Sequence, residues 1–284
     1  MPDFHRPRIM GIINCTPDSF YAGSRSIGPS KIAETAESMI AQGADIIDIG
    51  GESTRPGSTG VTSEEQIGRV LPAIKMIRTM SPIDISIDTR NADVAEAAMK
   101  AGATIINDIS ALQSDSRMAG LAAKWDVPVI LMHIQGTPAT MQTNPSYADV
   151  VQEVKSALLR SAEFAQTRGI DRKHIILDPG IGFGKRLQDN LLLLKHLSEL
   201  RKTGYPILVG LSRKSFLGFV LNKDDEDIAG QMISRNGRPP EDRLMGTIAA
   251  HTWCLSQGVG ILRVHDVKAA RDAITIWEAI ECAS

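Results

Sequence analysis

Arg263 and His265 stand two residues apart at the end of the apolar run Val259-Gly260-Ile261-Leu262-Arg263-Val264-His265. On an extended chain that spacing sends both to the same side. Two cationic donors side by side suit a phosphate or diphosphate. A surface arginine beside a helix-capping Asp266 would explain Asp266 but not the pairing. Gly50-Gly51-Glu52-Ser53-Thr54-Arg55-Pro56-Gly57 joins small residues, a hydroxyl and a guanidinium, as an anion-closing loop requires, although alone it reads equally as a solvated turn. Asp88, Asn107 and Asp178 each end a separate apolar run, and each alone reads as well as a cap for the helix that follows. Together with Lys214, at the end of another run, they form a convergent set able to bind a heterocycle with amide and amino edges.

Gly180-Ile181-Gly182-Phe183-Gly184-Lys185 looks at first like a phosphate loop, because glycine permits close backbone approach and lysine supplies charge. It fails the Walker A template, which needs glycine at Pro179 and Ser or Thr at Arg186, and its glycine spacing is not that of a dinucleotide fold. The plain alternative is a tight loop whose glycines turn the chain, with the adjacent Asp178 favouring a functional part. His133 lies on an apolar strand, where a lone histidine is more often packed or supporting than catalytic, and it is left unassigned.

Eight apolar runs carry these residues, each closing on a polar or charged side chain. They span residues 8–14, 44–52, 84–88, 103–108, 127–133, 174–178, 206–214 and 259–265. Continuous aliphatic runs are the mark of parallel strands buried on both faces, and helical patterns fall between them. Ser30 to Gly43, a helix behind the Thr62-Ser63-Glu64-Glu65 capping box, Asn91 to Gly102, residues 147–168, 188–201, 243–256 and 267–282 carry the helical spacing. An open doubly wound sheet would place a glycine-rich turn after its first strand, where this chain has Asn14-Cys15-Thr16-Pro17. The expectation is therefore an α/β chain forming a single (β/α)8 TIM barrel over residues 1–284, with the strand carboxyl ends lining one pocket. Three connections are long and polar, at 15–29, 51–62 and 222–242. The first two are expected to act as mobile βα loops over that face, and the third as a solvated excursion with a short helix around 228–233.

The length of 284 residues suits one barrel of about 250 residues better than two domains. With 43% hydrophobic residues and 31 basic against 33 acidic side chains, the composition is that of a globular protein and argues against a nucleic-acid partner. Cys15, Cys254 and Cys282 are isolated, so neither a disulfide framework nor a structural zinc site is expected, and a reducing cytoplasmic setting fits. No membrane anchor or signal peptide is expected.

Taken together, the motifs resemble the dihydropteroate synthase family along the whole chain. They are Met10-Gly11-Ile12-Ile13-Asn14 with Thr16-Pro17-Asp18-Ser19-Phe20, Gly50 to Gly57, Ser86-Ile87-Asp88-Thr89, Ile106-Asn107-Asp108 and Leu131-Met132-His133-Ile134-Gln135-Gly136. Leu177-Asp178-Pro179-Gly180, Gly182-Phe183-Gly184-Lys185, Ser212-Arg213-Lys214-Ser215 and Arg263-Val264-His265-Asp266 complete them. The resemblance implies condensation of p-aminobenzoate with 6-hydroxymethyl-7,8-dihydropterin diphosphate, giving dihydropteroate and diphosphate for folate synthesis. It puts the pterin against Asp88, Asn107, Asp178 and Lys214, with Met132 and Phe183 as walls. It has Asn14 hold Mg2+ on the diphosphate, which Thr54, Arg55, Arg263 and His265 grip, and puts p-aminobenzoate near Phe20, Pro56, Lys214 and Ser215. Asp88, Lys214, Arg55 and Arg263 are then the catalytic candidates. The resemblance also implies a homodimer and competitive inhibition by sulfonamides.

Departure of diphosphate before arrival of the amine would leave a delocalised cation at the pterin methylene, faced by Asp88, while Arg55, Arg263, His265 and Mg2+ stabilise the leaving anion. Closure of the first two loops would exclude competing water. This chain has Tyr21-Ala22-Gly23-Ser24 where many members carry Ser-Asp-Gly-Gly, a departure that bears on loop closure. Two rivals stand beside this reading: a methyltetrahydrofolate-dependent methyltransferase, which needs no diphosphate grip, and a non-catalytic pterin-binding paralogue, which would lack one. The last helix presents Val267, Ala270, Ile274, Trp277 and Ile280 as a stripe for docking on the barrel.

Overall fold

The computed structural model of the chain describes residues 6–16, 29–53, 60–222 and 237–283. Its strands are β1 (Arg8–Asn14), β2 (Ile46–Gly50), β3 (Asp84–Asp88), β4 (Ile105–Asp108), β5 (Val129–Met132), β6 (Ile175–Asp178), β7 (Leu208–Gly210) and β8 (Ile261–Val264). All neighbours pair in parallel in the order β6-β5-β4-β3-β2-β1-β8-β7. A parallel bridge between Leu177 and Ile207 joins the two outer strands and brings the sheet round into the expected barrel.

Period two explains why these runs need be neither alternating nor amphipathic. Met10, Ile46, Ile105, Ile130, Ile176, Leu208 and Ile261 point inward and form a buried cluster of their own inside the barrel. Their neighbours, among them Ile9, Ile47, Ile85, Ile106, Val129, Ile175, Val209 and Leu262, point outward into a second core shared with the helices. Each such side chain contributes on the order of 2 kcal/mol by leaving water. Because both faces are buried, the polar exceptions on the inward face stand out: Asp48, Ser86, Asn107, Asp88, Asp178 and Arg263 lie at or above the apolar layer, toward the carboxyl ends.

The surrounding helices are α1 (Pro29–Ala41), α2 (Ser63–Met80), α3 (Ala92–Ala101), α4 (Met118–Trp125), α5 (Val150–Thr167), α6 (Leu187–Lys195), α7 (Leu197–Arg201), α8 (Ser215–Leu221), α9 (Leu244–Ser256) and α10 (Val267–Glu281). Thr62 caps α2 by accepting from the Glu65 amide, whereas the Glu65 carboxylate pairs with Arg69 instead of completing a box. Asn91 caps α3, and Gly102 ends it at φ +112°, a conformation that favours glycine. α4 and α8 are not evident from helical spacing, because both are short and small residues interrupt the apolar pattern of α4 while α8 is apolar nearly all round. Helical spacing also runs α6 and α7 together across His196, and starts α5 three residues early, at Tyr147 rather than Val150. On α10, Val267, Ala270 and Ile274 dock as expected, but Ile280 does not: it is 68% exposed in the last turn. Most of the three long connections lies outside the described residues, including the expected helix around 228–233 and the Tyr21-Ala22 departure.

Candidate active site

Parallel register brings Asn14, Gly50 and Asp88 side by side at the ends of β1, β2 and β3, with Asn107 next to Asp88 on β4. The neighbours stand close about Gly50: a Cβ there would be in ordinary contact with both, 3.7 Å from Asn14 Oδ1 and 3.8 Å from Asp88 Oδ2. Arg263, entering from β8, is the hub. Its Nε donates to Asp48 Oδ2 at 2.7 Å and its Nη2 to Asp88 Oδ2 at 2.7 Å. Asp48 is fully buried and also accepts from Asn107 Nδ2 at 3.4 Å. One guanidinium thus balances two carboxylates where solvent cannot.

Burial raises the Asp88 pKa above the usual carboxylate range; Arg263 opposes the shift, while Asp48, Asp108 and Glu52 add to it. Burial draws Arg263 down, but Asp48 and Asp88 more than offset it and keep the guanidinium protonated. Burial also raises Asp178, against the pull of Lys214 and of the Gly180 amide, which donates to Asp178 Oδ1 at 2.7 Å. The Lys214 ammonium is pushed down to about 8 by burial, with Asp178 counteracting. Lys214 donates to the Ile181 carbonyl, and its Nζ stands 4.6 Å from the centroid of the Phe183 ring. These contacts join the carboxyl ends of β6 and β7. Met132, 4% exposed, ends β5 beside Asp178 in register.

The anion-binding expectations divide. Arg263 hydrogen-bonds two carboxylates inside the mouth. His265 is exposed; its amide donates to Ser212 Oγ at 3.2 Å, and its Nδ1 lies 3.1 Å from the same oxygen. Asp266 occupies the N-cap position of α10 but makes no side-chain cap bond; its carboxylate instead takes Arg213 Nε and Nη2, both at 2.8 Å. Ser215 opens α8 and is exposed. Phe20, Thr54, Arg55 and Pro56 lie outside the described residues.

Sequence reasoning missed two members. Asp48 has the same inward parity as Ile46 and Gly50, and a carboxylate amid four aliphatic or glycine neighbours was the available signal. Lys185 was weighed only as a phosphate-loop lysine. It is in fact 3% exposed, and its Nζ meets His133 Nδ1 at 2.9 Å, the Phe183 carbonyl at 3.0 Å and the His133 carbonyl at 3.3 Å. Burial lowers its pKa to about 7, with Asp178 opposing, and burial together with Lys185 lowers His133 to about 3. A cleft of about 770 Å³ lies at the opposite end of the barrel, where Arg8 pairs with Asp84 and Arg271 with Asp45. The reactive groups gather at the carboxyl ends, as ligand sites in this architecture do.

Comparison with known proteins bears on that site. Residues 10–265 match the family model described as pterin binding enzyme. The chain is 41% identical over 277 residues to a dihydropteroate synthase of Haemophilus influenzae, covering 98% of this chain and 95% of that protein. Among solved structures it is similar to the Xanthomonas albilineans dihydropteroate synthase with 4-aminobenzoic acid, at TM-score 0.89 and 40% identity, over 99% of this chain and 95% of that one. It is equally similar to the Yersinia pestis dihydropteroate synthase in a sulfonamide drug complex, at TM-score 0.90 and 40% identity, over 99% and 96%.

Proposed function

The chain belongs to the pterin binding enzyme family, and we propose from that premise how its residues perform the dihydropteroate synthase reaction. The protein is a pterin-group transferase: it condenses p-aminobenzoate with (7,8-dihydropterin-6-yl)methyl diphosphate, giving 7,8-dihydropteroate and diphosphate. The observation that carries the reading is the meeting of Asp88, Asn107 and Asp178, from three strands, and Lys214, from the turn between β7 and α8, at one barrel mouth beside Met132 and Phe183.

In the proposed scheme Asp178 and Asn107 hydrogen-bond the polar edge of the pterin, and Lys214 donates to its ring. Asp88 faces the exocyclic methylene, where positive charge develops as the carbon–oxygen bond to diphosphate breaks. Burial pushes the Asp88 carboxyl up to about 7, and the Arg263 hydrogen bond opposes that rise, favouring the ionised form that this role needs. Arg55, Thr54 and His265 supply the anion contacts. Phe20, Pro56, Lys214 and Ser215 border p-aminobenzoate, whose nitrogen attacks the methylene and then loses a proton. Sulfonamides are competitive with p-aminobenzoate at this subsite.

Mg2+ is the proposed cofactor, with Asn14 as its protein ligand. Among the described residues no cluster of three or more His, Cys, Asp or Glu forms a cage for a metal ion. The Asn14 carboxamide oxygen, at the end of β1 beside Gly50, would suit a hard cation that takes one or two protein oxygens. Bound there, the ion neutralises charge on the leaving diphosphate.

A homodimer is supported by exposed apolar side chains on two helices that pack against each other, Met245 and Trp253 of α9 and Ile276 and Ile280 of α10. A cytoplasmic setting is supported by three unpaired cysteines, and no described helix is long and apolar enough to cross a membrane.

The test is diphosphate release from the pterin diphosphate, with and without Mg2+ and with and without p-aminobenzoate. Release that needs both and is matched by dihydropteroate is the expected result. Tight pterin binding without any release would replace the reading with a non-catalytic binding protein.

A further inference from the structure

The loop from Gly180 to Lys185 is pressed against the backbone that follows β5. A Cβ on Gly180 would fall 2.0 Å from the His133 carbonyl oxygen, and one on Gly184 would fall 2.4 Å from that of Gln135. Side chains at these positions would forbid the approach, and both residues have positive φ, at +65° and +62°. Across this seam Lys185 runs inward. Its ammonium finds three acceptors: the His133 ring nitrogen, the His133 carbonyl and the Phe183 carbonyl. Two of these lie at the end of β5 and one within the loop itself.

The opposite side of the loop carries the pterin-site groups. The Phe183 ring lies under Lys214 Nζ, the Ile181 carbonyl accepts from Lys214, and a Cβ on Gly182 would touch Lys214 Cδ at 3.3 Å. Asp178, whose carboxylate binds the Gly180 amide, is the last strand residue before the loop. The loop is therefore a span with two supports, Lys185 on the β5 side and Lys214 on the β7 side.

We propose that Lys185 is a positioning residue for the pterin: by tying the Phe183 and His133 carbonyls and the His133 ring together, it fixes the loop that seats Phe183, Lys214 and Asp178. This rests on the assignment of the pterin to those three residues. Lys185 touches no reacting atom in this arrangement, so its effect is expressed in pterin affinity rather than in the attack of the amine. The same geometry gives His133 a purpose as the acceptor that orients the lysine, which requires the ring proton on Nε2.

The experiment compares the unaltered enzyme with Lys185→Met, His133→Leu and the double variant. It reads the dissociation constant for 6-hydroxymethyl-7,8-dihydropterin by fluorescence, the KM for p-aminobenzoate at saturating pterin diphosphate, and thermal unfolding. Lys185→Met should weaken pterin binding by about tenfold or more, the order expected when charge-assisted hydrogen bonds are lost. The p-aminobenzoate KM should change less than about threefold. His133→Leu should weaken pterin binding by a few-fold, because two carbonyl acceptors remain, and the double variant should be no worse than Lys185→Met alone. If Lys185→Met yields no folded protein, Lys185→Gln makes the same comparison. A folded Lys185 variant that binds pterin as tightly as the unaltered enzyme would overturn the proposal, as would fully additive effects of the two substitutions. Failure of the unaltered enzyme to bind pterin would instead overturn the assignment of the pocket.

Discussion

Arg263 offers one nitrogen to Asp48 and another to Asp88, so the two carboxylates share a single compensating charge. Removing either acid has a different consequence. Asp88→Asn keeps the shape and a hydrogen-bond acceptor but removes the negative charge facing the pterin methylene. The expected result is a fall in kcat/KM of about 10²- to 10³-fold, the scale of losing one preorganised electrostatic contact, with pterin binding largely kept. Steady-state kinetics beside a pterin titration measure both. An unchanged rate would remove Asp88 from the scheme. Asp48→Ala, at a fully buried position, leaves Arg263 half-compensated inside the barrel and should destabilise the fold by about 3 kcal/mol, measured by urea unfolding.

Among the connecting elements, the seam between the loops after β5 and β6 is the tightest described contact of backbone with a missing side chain. Gly180 and Gly169 both have positive φ, at +65° and +91°, so alanine costs about 1 kcal/mol of backbone strain at either. They differ in what surrounds them. At Gly169 the nearest atom to a new Cβ is 3.6 Å away, an ordinary contact, whereas at Gly180 it is 2.0 Å away and belongs to backbone. Gly169→Ala should therefore cost only the strain, and Gly180→Ala should cost more than about 4 kcal/mol or fail to fold. Equal melting temperatures for the two variants would show that the seam yields.

For the molecule as a whole, buried histidines contribute a weakness to acid, opposite in sign to the buried Asp88 and Asp178 carboxyls, whose raised pKa values favour the folded state as pH falls. His251, on α9, is fully buried, and neither ring nitrogen has a hydrogen-bond partner. Burial lowers its pKa to about 4 from an ordinary 6.5, with Asp266 opposing. The unfolded chain therefore binds a proton that the folded one refuses between those values. Its contribution is intact above pH 6.5 and lost as pH falls toward 4, to the extent of about 3 kcal/mol. His133 adds to the loss with the same sign. His251→Leu should flatten the decline between pH 6.5 and 4 in urea-unfolding free energies, while an unaltered slope would mean the histidine gains a partner in solution. At the other level of assembly, the proposed dimer predicts that Ile276→Lys with Ile280→Lys gives a monomer in sedimentation equilibrium where the unaltered chain gives a dimer, without changing the melting of the barrel, because both side chains are exposed within one chain.

The strand-forming runs and the residues that end them were legible in the sequence, because a parallel barrel strand is aliphatic on both faces and its last polar residue has few other uses. Asp88, Asn107, Asp178 and Lys214 could be read that way one strand at a time, and period two even supplied the inward parity of Arg263. What parity does not supply is the partner across the barrel. Arg263 read as an anion ligand beside His265, yet it lies 215 residues from Asp48 and 175 from Asp88 along the chain and bonds to both. Lys185 matched no phosphate-loop template in the sequence, and only its burial against His133, 52 residues away, shows it as an internal tie. Local spacing determines which way a side chain points; only closure of the sheet decides what it meets there, because those distances are set by strand order and register rather than by neighbours in sequence.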